Sequence, residues 1–156
     1  EKRGEYSLGG EAVELADNKP VVEIKGLGEV SLPLASEQAE AIIQKYARQA
    51  PYGMDTKTLI DKQVRDTYQL NPDQFLVKSE TWESRLAELV ERVAKGLGCY
   101  GRVEHKLYKM LLYKKGGHFK KHKDTEKEKA MFGTLIVQLP SEYTGGELVV
   151  YRGKVS

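Results

Sequence analysis

The hydrophobic spacing of this chain changes period at Gly96 and Gly98, and that change limits the folds open to it. From about Glu80 to Lys95, the residues Trp82, Leu86, Leu89, Val90 and Val93, continued by Leu97, recur at three- and four-residue spacing. Positions so spaced share one face of a helix, so the segment reads as an amphipathic helix with a single buried stripe. Glu80, Glu83, Arg85, Glu88, Glu91 and Arg92 take the wet side, and the two glycines supply the stop. Beyond them the pattern is that of strands. Residues 102–113 read as one long strand broken by Gly116-Gly117, 133–139 as a buried strand, and 147–151 as another after the Thr144-Gly145-Gly146 turn.

The front of the chain is mixed. Residues 1–20 are polar and read as a loosely held lead-in. Residues 20–25 and 29–34 alternate with period two around Gly26-Leu27-Gly28 and read as a hairpin. Ser36 opens a helix whose stripe is Ala39, Ala41, Ile42, Ile43, Tyr46 and Ala47, and Ala50-Pro51-Tyr52-Gly53 ends it. Residues 54–70 carry no single period, and Asn71-Pro72 suits a helix start. A helical front half followed by strands makes the chain an α+β domain with a mainly antiparallel sheet.

Composition narrows the function classes. With 31% charged residues and a net charge of only +2, the surface carries both signs. That is neither a dedicated nucleic-acid binder nor a disordered chain. The single cysteine, Cys99, leaves no internal disulfide and suits a reducing, intracellular compartment, cytoplasm or nucleus. No apolar run reaches the roughly 18 residues a membrane-spanning helix needs. Cys99 comes after the glycine stop and reads as a small packing residue.

The segment 111–125 carries the chemistry: Leu-Leu-Tyr113-Lys-Lys-Gly116-Gly117-His118-Phe119-Lys-Lys-His122-Lys-Asp124-Thr. On a strand, residues two apart point to the same face, so His122 and Asp124 would present an imidazole and a carboxylate together. With a second histidine such a pair makes the facial triad of non-haem Fe(II) oxygenases, which leaves the opposite face open. Lysines 114, 115, 120, 121, 123, 127 and 129 surround the pair, diluted by Glu126 and Glu128. Arg65, near Asp61 and Asp66, reads as an ion-pair or loop anchor, with a substrate-facing role as the alternative.

The pattern Tyr113, Gly116, Gly117, Phe119, His122, Asp124 resembles the entry strand of the prolyl-4-hydroxylase-like branch of the Fe(II)/2-oxoglutarate-dependent oxygenases. Met131 to Leu135 with Leu139-Pro140-Ser141 is similar to that family's next strand, and Gly145-Gly146-Glu147-Leu148 to its Gly-Gly-Glu turn. Upstream, Leu107-Tyr108-Lys109 and Asp61…Val64-Arg65 are similar to the family as well. The resemblance implies a double-stranded β-helix (jelly-roll) with helices packed on one side. It also implies an iron-dependent dioxygenase that hydroxylates a C–H bond while 2-oxoglutarate is decarboxylated to succinate, with ascorbate as a family accessory. His122 and Asp124 would be iron ligands, and Tyr113 a contact to 2-oxoglutarate or else an inward-facing strand aromatic.

The family pattern also asks for a later histidine ligand and, soon after it, an Arg or Lys for the distal carboxylate of 2-oxoglutarate. No His comes after Asp124, Arg152 is not at the family's Arg position, and Leu148 stands where relatives often carry Thr. His118 and His105 are poor substitutes by spacing and by pattern. The expectation is therefore an oxygenase-like domain over 21–156 that lacks its C-terminal strands, is inactive as it stands, and has an open sheet edge able to pair with another chain. The competing expectation is a non-catalytic oxygenase-like module that contacts nucleic acid through the lysines of 114–129. Neither reading fixes the substrate.

Overall fold

The computed structural model describes residues 4–16, 20–54 and 57–153. In chain order the elements are α1 (Val13–Ala16), β1 (Val21–Ile24), β2 (Gly28–Val30), α2 (Ser36–Lys45), β3 (Arg48–Gln49), β4 (Tyr52–Met54), β5 (Lys57–Leu59), β6 (Arg65–Asp66), β7 (Tyr68–Leu70), β8 (Phe75–Lys78), α3 (Trp82–Gly96), β9 (Met110–Leu112) and β10 (His118–Phe119). The chain is thus α+β with antiparallel pairing. The described residues form four small sheets, ordered β2-β1-β8, β3-β7-β9, β10-β6 and β4-β5, and no barrel. No described helix is long and apolar enough to cross a membrane.

The chain divides into two compact units. The first comprises Glu1–Val21, Val77–Leu107 and Glu147–Ser156. Its centre is α3, which buries Leu89, Val90 and Ala94 from the expected stripe side. Glu91 and Lys95 pair across one turn on the wet face at 2.7 Å, with the acid N-terminal to the base as the helix dipole favours. The helix ends as its glycines require. Gly98, at φ +85°, comes directly after the C-cap Leu97. The Gly98 N–H donates to the Lys95 carbonyl at 3.0 Å and the Cys99 N–H to Ala94 at 2.8 Å. This pair of bonds is a Schellman motif, which needs a left-handed residue where Gly98 stands. The lead-in is tied to this helix. The Glu5 N–H donates to the Gly96 carbonyl at 2.9 Å, and Arg92 Nη2 donates to Glu14 Oε2 at 3.0 Å. The Arg92 guanidinium holds the Glu14 carboxyl below the usual carboxylate range.

The second unit, Val22–Leu76 with Tyr108–Gly146, holds the candidate chemistry. Its buried apolar residues include Val22, Ile24, Ile42, Ala50, Leu70 and Phe75. The expected hairpin forms, with Val22 opposite Val30 and Ile24 opposite Gly28, but its second strand ends at Val30 instead of running to 34. The expected helix forms too, and α2 puts Ile42 inside. Asn71-Pro72 does not start a helix. The Asn71 N–H is taken by the Gln74 side chain at 2.8 Å, and the Gln74 N–H returns to the Asn71 carbonyl at 3.0 Å. That closes a turn into β8, because local side-chain bonds of this kind compete with helix formation.

The segment 65–70 organises the unit. Its far end, β7, lies between β3 and β9, with Tyr68 opposite Leu112 and Leu70 opposite Met110. Its near end, β6, pairs with β10, His118 opposite Asp66 and Phe119 opposite Arg65. Between these two ladders Thr67 alone faces residues 113–117. Those residues make a bulge-like excursion that re-aims the chain. Gly116 turns it at φ +78°, and the Gly117 N–H donates to the Lys114 carbonyl at 2.7 Å.

Three expected strands come out differently. Of 102–113 only Met110–Leu112 joins a strand ladder, and 133–139 and 147–151 join none. Ile136 is 62% exposed and Leu148 73%. A strand exists only against a partner that takes its N–H and C=O groups. Apolar, β-branched sequence supplies propensity for pairing but no partner.

Candidate metal-binding segment

His122 and Asp124 are brought together, but not by strand alternation. Residues 120–128 lie in no strand. Two local contacts place the imidazole instead. Its Nδ1 lies 2.8 Å from the Lys120 carbonyl, where it donates its hydrogen. Its ring stacks on Phe119, with centroids 3.5 Å apart and planes 16° from parallel. Nε2 then faces Asp124 Oδ1 at 3.4 Å. With the Nδ1 hydrogen committed, Nε2 turns toward the carboxylate either a proton or a lone pair. A lone pair facing a carboxylate needs a cation between them. Two donors at this separation suit adjacent positions on one ion with bonds of about 2.1 Å. A backbone carbonyl on Nδ1 is also how metal-bound histidines are usually held in tautomer and orientation.

Phe119 is held by the β10–β6 ladder, which continues in the Lys120 N–H to the Val64 carbonyl at 2.9 Å. Arg65, its cross-strand neighbour, lays its guanidinium over the Phe119 ring, 4.3 Å from the centroid. Arg65 Nη1 donates to the Pro51 carbonyl at 2.6 Å, so the loop-anchor expectation is met in that contact. Burial lowers the Arg65 pKa, opposed by the acidic groups of Tyr113, Tyr108 and Asp124. Its Nε is buried and has no hydrogen-bond partner.

The remaining expected residues are dispersed. Tyr113 stands just past the end of β9 and is 52% exposed, so the inward-facing strand position does not apply. His105 belongs to the first unit, where Nε2 faces Glu83 at 3.7 Å. Cys99, also there, lines an open cleft of about 320 Å³ with Ala94, Tyr100 and Arg102. Arg152 is exposed, outside any strand, with its guanidinium over Tyr6 at 5.9 Å. The Lys-rich segment is partly anchored: Lys127 lies over the Tyr108 ring at 5.7 Å and Lys114 over Tyr68 at 5.5 Å. Among the described residues no three His, Cys, Asp or Glu side chains gather as a metal cluster.

His118 has its own task. Nδ1 meets the Gly116 carbonyl at 3.1 Å and Nε2 the Gln63 carbonyl at 3.2 Å. Only a doubly protonated ring can donate to both, so these carbonyls, Gly116 first and Gln63 second, raise the pKa above 6.5. Asp66 adds to the rise, while desolvation and Lys120 oppose it. A raised folded-state pKa contributes stability that is whole below the unfolded value and is lost as pH rises through the folded one. The β6–β10 ladder is therefore expected to loosen as pH rises from the ordinary imidazole range through the raised folded-state value. Faster amide exchange at Lys120, relative to the core strand β7, is the check, and a His118→Gln chain should show no such pH step.

No family model matches the chain, and no curated protein or solved structure matches it either. The functional reading rests on the residues and their geometry.

Sequence reasoning missed the Arg65–Phe119–His122 stack. Its only trace is an aromatic three residues before the histidine, and the pairing of that aromatic with Arg65 depends on a register that spacing alone does not give.

Proposed function

We propose that this chain carries the metal-binding segment of an Fe(II)- and 2-oxoglutarate-dependent dioxygenase of the prolyl-4-hydroxylase-like kind, with His122 and Asp124 as two of the iron ligands. The observation that carries the reading is the paired aim of the two donors: Nε2 lies 3.4 Å from Asp124 Oδ1 while Nδ1 is engaged by the Lys120 carbonyl. An imidazole and a carboxylate suit ferrous iron in a site that keeps open positions. Iron held there together with 2-oxoglutarate would supply the chemistry by which O2 hydroxylates a C–H bond, one oxygen atom going to the product and the other to the succinate formed from 2-oxoglutarate with release of CO2. The chain's own residues hold and orient. Lys120 and Phe119 fix the imidazole, and Asp124 brings the negative charge.

The reading includes a jelly-roll to which the 65–70 and 110–119 ladders would contribute strands. It includes Tyr113 as a contact to 2-oxoglutarate. The residue is exposed and within electrostatic reach of Arg65. Iron binding by these two ligands alone is expected to be weaker than a three-ligand site gives.

Anaerobic titration with Fe(II) and 2-oxoglutarate tests the proposal through the visible charge-transfer absorption that chelation of ferrous iron by the keto acid produces. The native chain should shift and intensify this absorption relative to iron and keto acid alone. His122→Ala should not. Equal spectra from both proteins would overturn the assignment.

A further inference from the structure

The aim of the His122 imidazole depends on a residue that is far from it in sequence. Two groups lie over the Phe119 ring: the His122 imidazole, with centroids 3.5 Å apart, and the Arg65 guanidinium, 4.3 Å from the centroid. At these distances both cannot occupy one face, so Phe119 is clamped between a planar cation and a planar imidazole. Each end of the column is fixed. Arg65 Nη1 is anchored to the Pro51 carbonyl at 2.6 Å, and Arg65 and Phe119 are directly opposed in the β6–β10 ladder. The His122 edge is anchored to the Lys120 carbonyl at 2.8 Å. The stack sets the plane of the imidazole and the carbonyl sets its rotation in that plane. Together they leave Nε2 aimed at Asp124.

We propose that Arg65 is the positioning residue of the His122–Asp124 pair, acting through the face of Phe119. This rests on the metal-site reading above. It goes beyond the ion-pair, anchor or substrate-facing roles that sequence gives Arg65. The guanidinium suits the task because it is flat, always charged and able to stack on a ring while its edge donates a hydrogen bond. Lysine offers a point charge on a flexible stem and cannot keep the same face filled. Arg65 does not itself need to touch the metal: its guanidinium acts on the half-buried Phe119 ring.

Co(II) alone, titrated into the full chain, is the probe, with two readouts. One is the dissociation constant. The other is the side-chain NMR of His122, whose carbon-bound ring protons lie upfield while the imidazole is stacked on Phe119. Arg65→Gln and Phe119→Leu are each expected to weaken Co(II) binding roughly 10–100-fold, the usual effect of removing support behind a metal-bound histidine. Both should also move the His122 ring signals toward their unstacked positions. Arg65→Lys should recover little, and Phe119→Tyr, which restores a flat face, should recover most of the affinity. A folded Arg65→Gln chain with native affinity and native His122 ring signals overturns the proposal. Should Arg65→Gln not fold, Phe119→Leu decides: it leaves the Pro51 contact intact, and unchanged affinity and ring signals there overturn the proposal equally. His122→Ala separates this inference from the one beneath it. Native affinity in that variant overturns the metal-site reading and this one with it. Lost affinity there, beside native affinity in the Arg65 and Phe119 variants, overturns only the positioning role.

Discussion

Gly117→Ala is expected to cost about 1–3 kcal/mol, the range for forcing extra atoms into a filled site, and to scatter the His122–Asp124 pair. A Cβ at this position would lie 2.8 Å from the Lys114 carbonyl oxygen and 3.0 Å from that of Asp66. Both are backbone atoms, so no side-chain rotation relieves the contact. The chain yields by shifting the 113–117 excursion and the start of β10 against β6, and β10 carries Phe119, on which His122 stacks. Gly116 differs for a physical reason. It sits at φ +78° with nothing near its missing Cβ, so its requirement is conformational. Asparagine adopts that region more readily than other side chains, and Gly116→Asn should keep both the fold and the stack. Urea unfolding of the two variants, with the His122 ring signals as reporter of the stack, checks the contrast.

Leu70→Ala is expected to cost about 2–5 kcal/mol, the usual effect of emptying a buried leucine site. Leu70 is fully buried in β7, between the flanking strands β3 and β9. Those three strands hold the organising segment from the far end, so the loss falls on the whole second unit. The site should nevertheless survive in the folded fraction, because neither β6 nor β10 contacts the substituted position through the ladder. The two variants thus dissociate stability from site geometry: Leu70→Ala lowers the unfolding midpoint more and Gly117→Ala disturbs His122 more. A Gly117→Ala chain with native His122 signals, or a folded Leu70→Ala chain without them, would contradict the assignment of roles.

The sequence displayed α3 clearly because helical order is local. Its stripe, its wet face and the left-handed Gly98 are all set within a few residues of each other. The hairpin over 21–30 was legible on the same ground. Strands over 133–139 and 147–151 were not, since pairing needs partners distant in sequence, and among the described residues those segments join no ladder. The His122–Asp124 pair shows a subtler limit. Spacing identified the two residues, but through strand alternation, whereas the structure joins them through the Lys120 carbonyl and the Phe119 ring. The Arg65 contribution was hidden because it depends on the five residues, 113–117, that stand opposite Thr67. Without that offset in register, Arg65 and Phe119 would not be neighbours.

Substoichiometric Mn(II) added to the isotope-labelled chain probes the paired donors themselves, since its paramagnetism broadens nearby signals even when binding is weak. The account predicts that the His122 ring and the Asp124 carboxyl broaden first, ahead of Glu126 and Glu128, and that His122→Ala and Asp124→Ala each abolish the preference. Broadening spread evenly over the acidic residues, or unchanged in either variant, would contradict it.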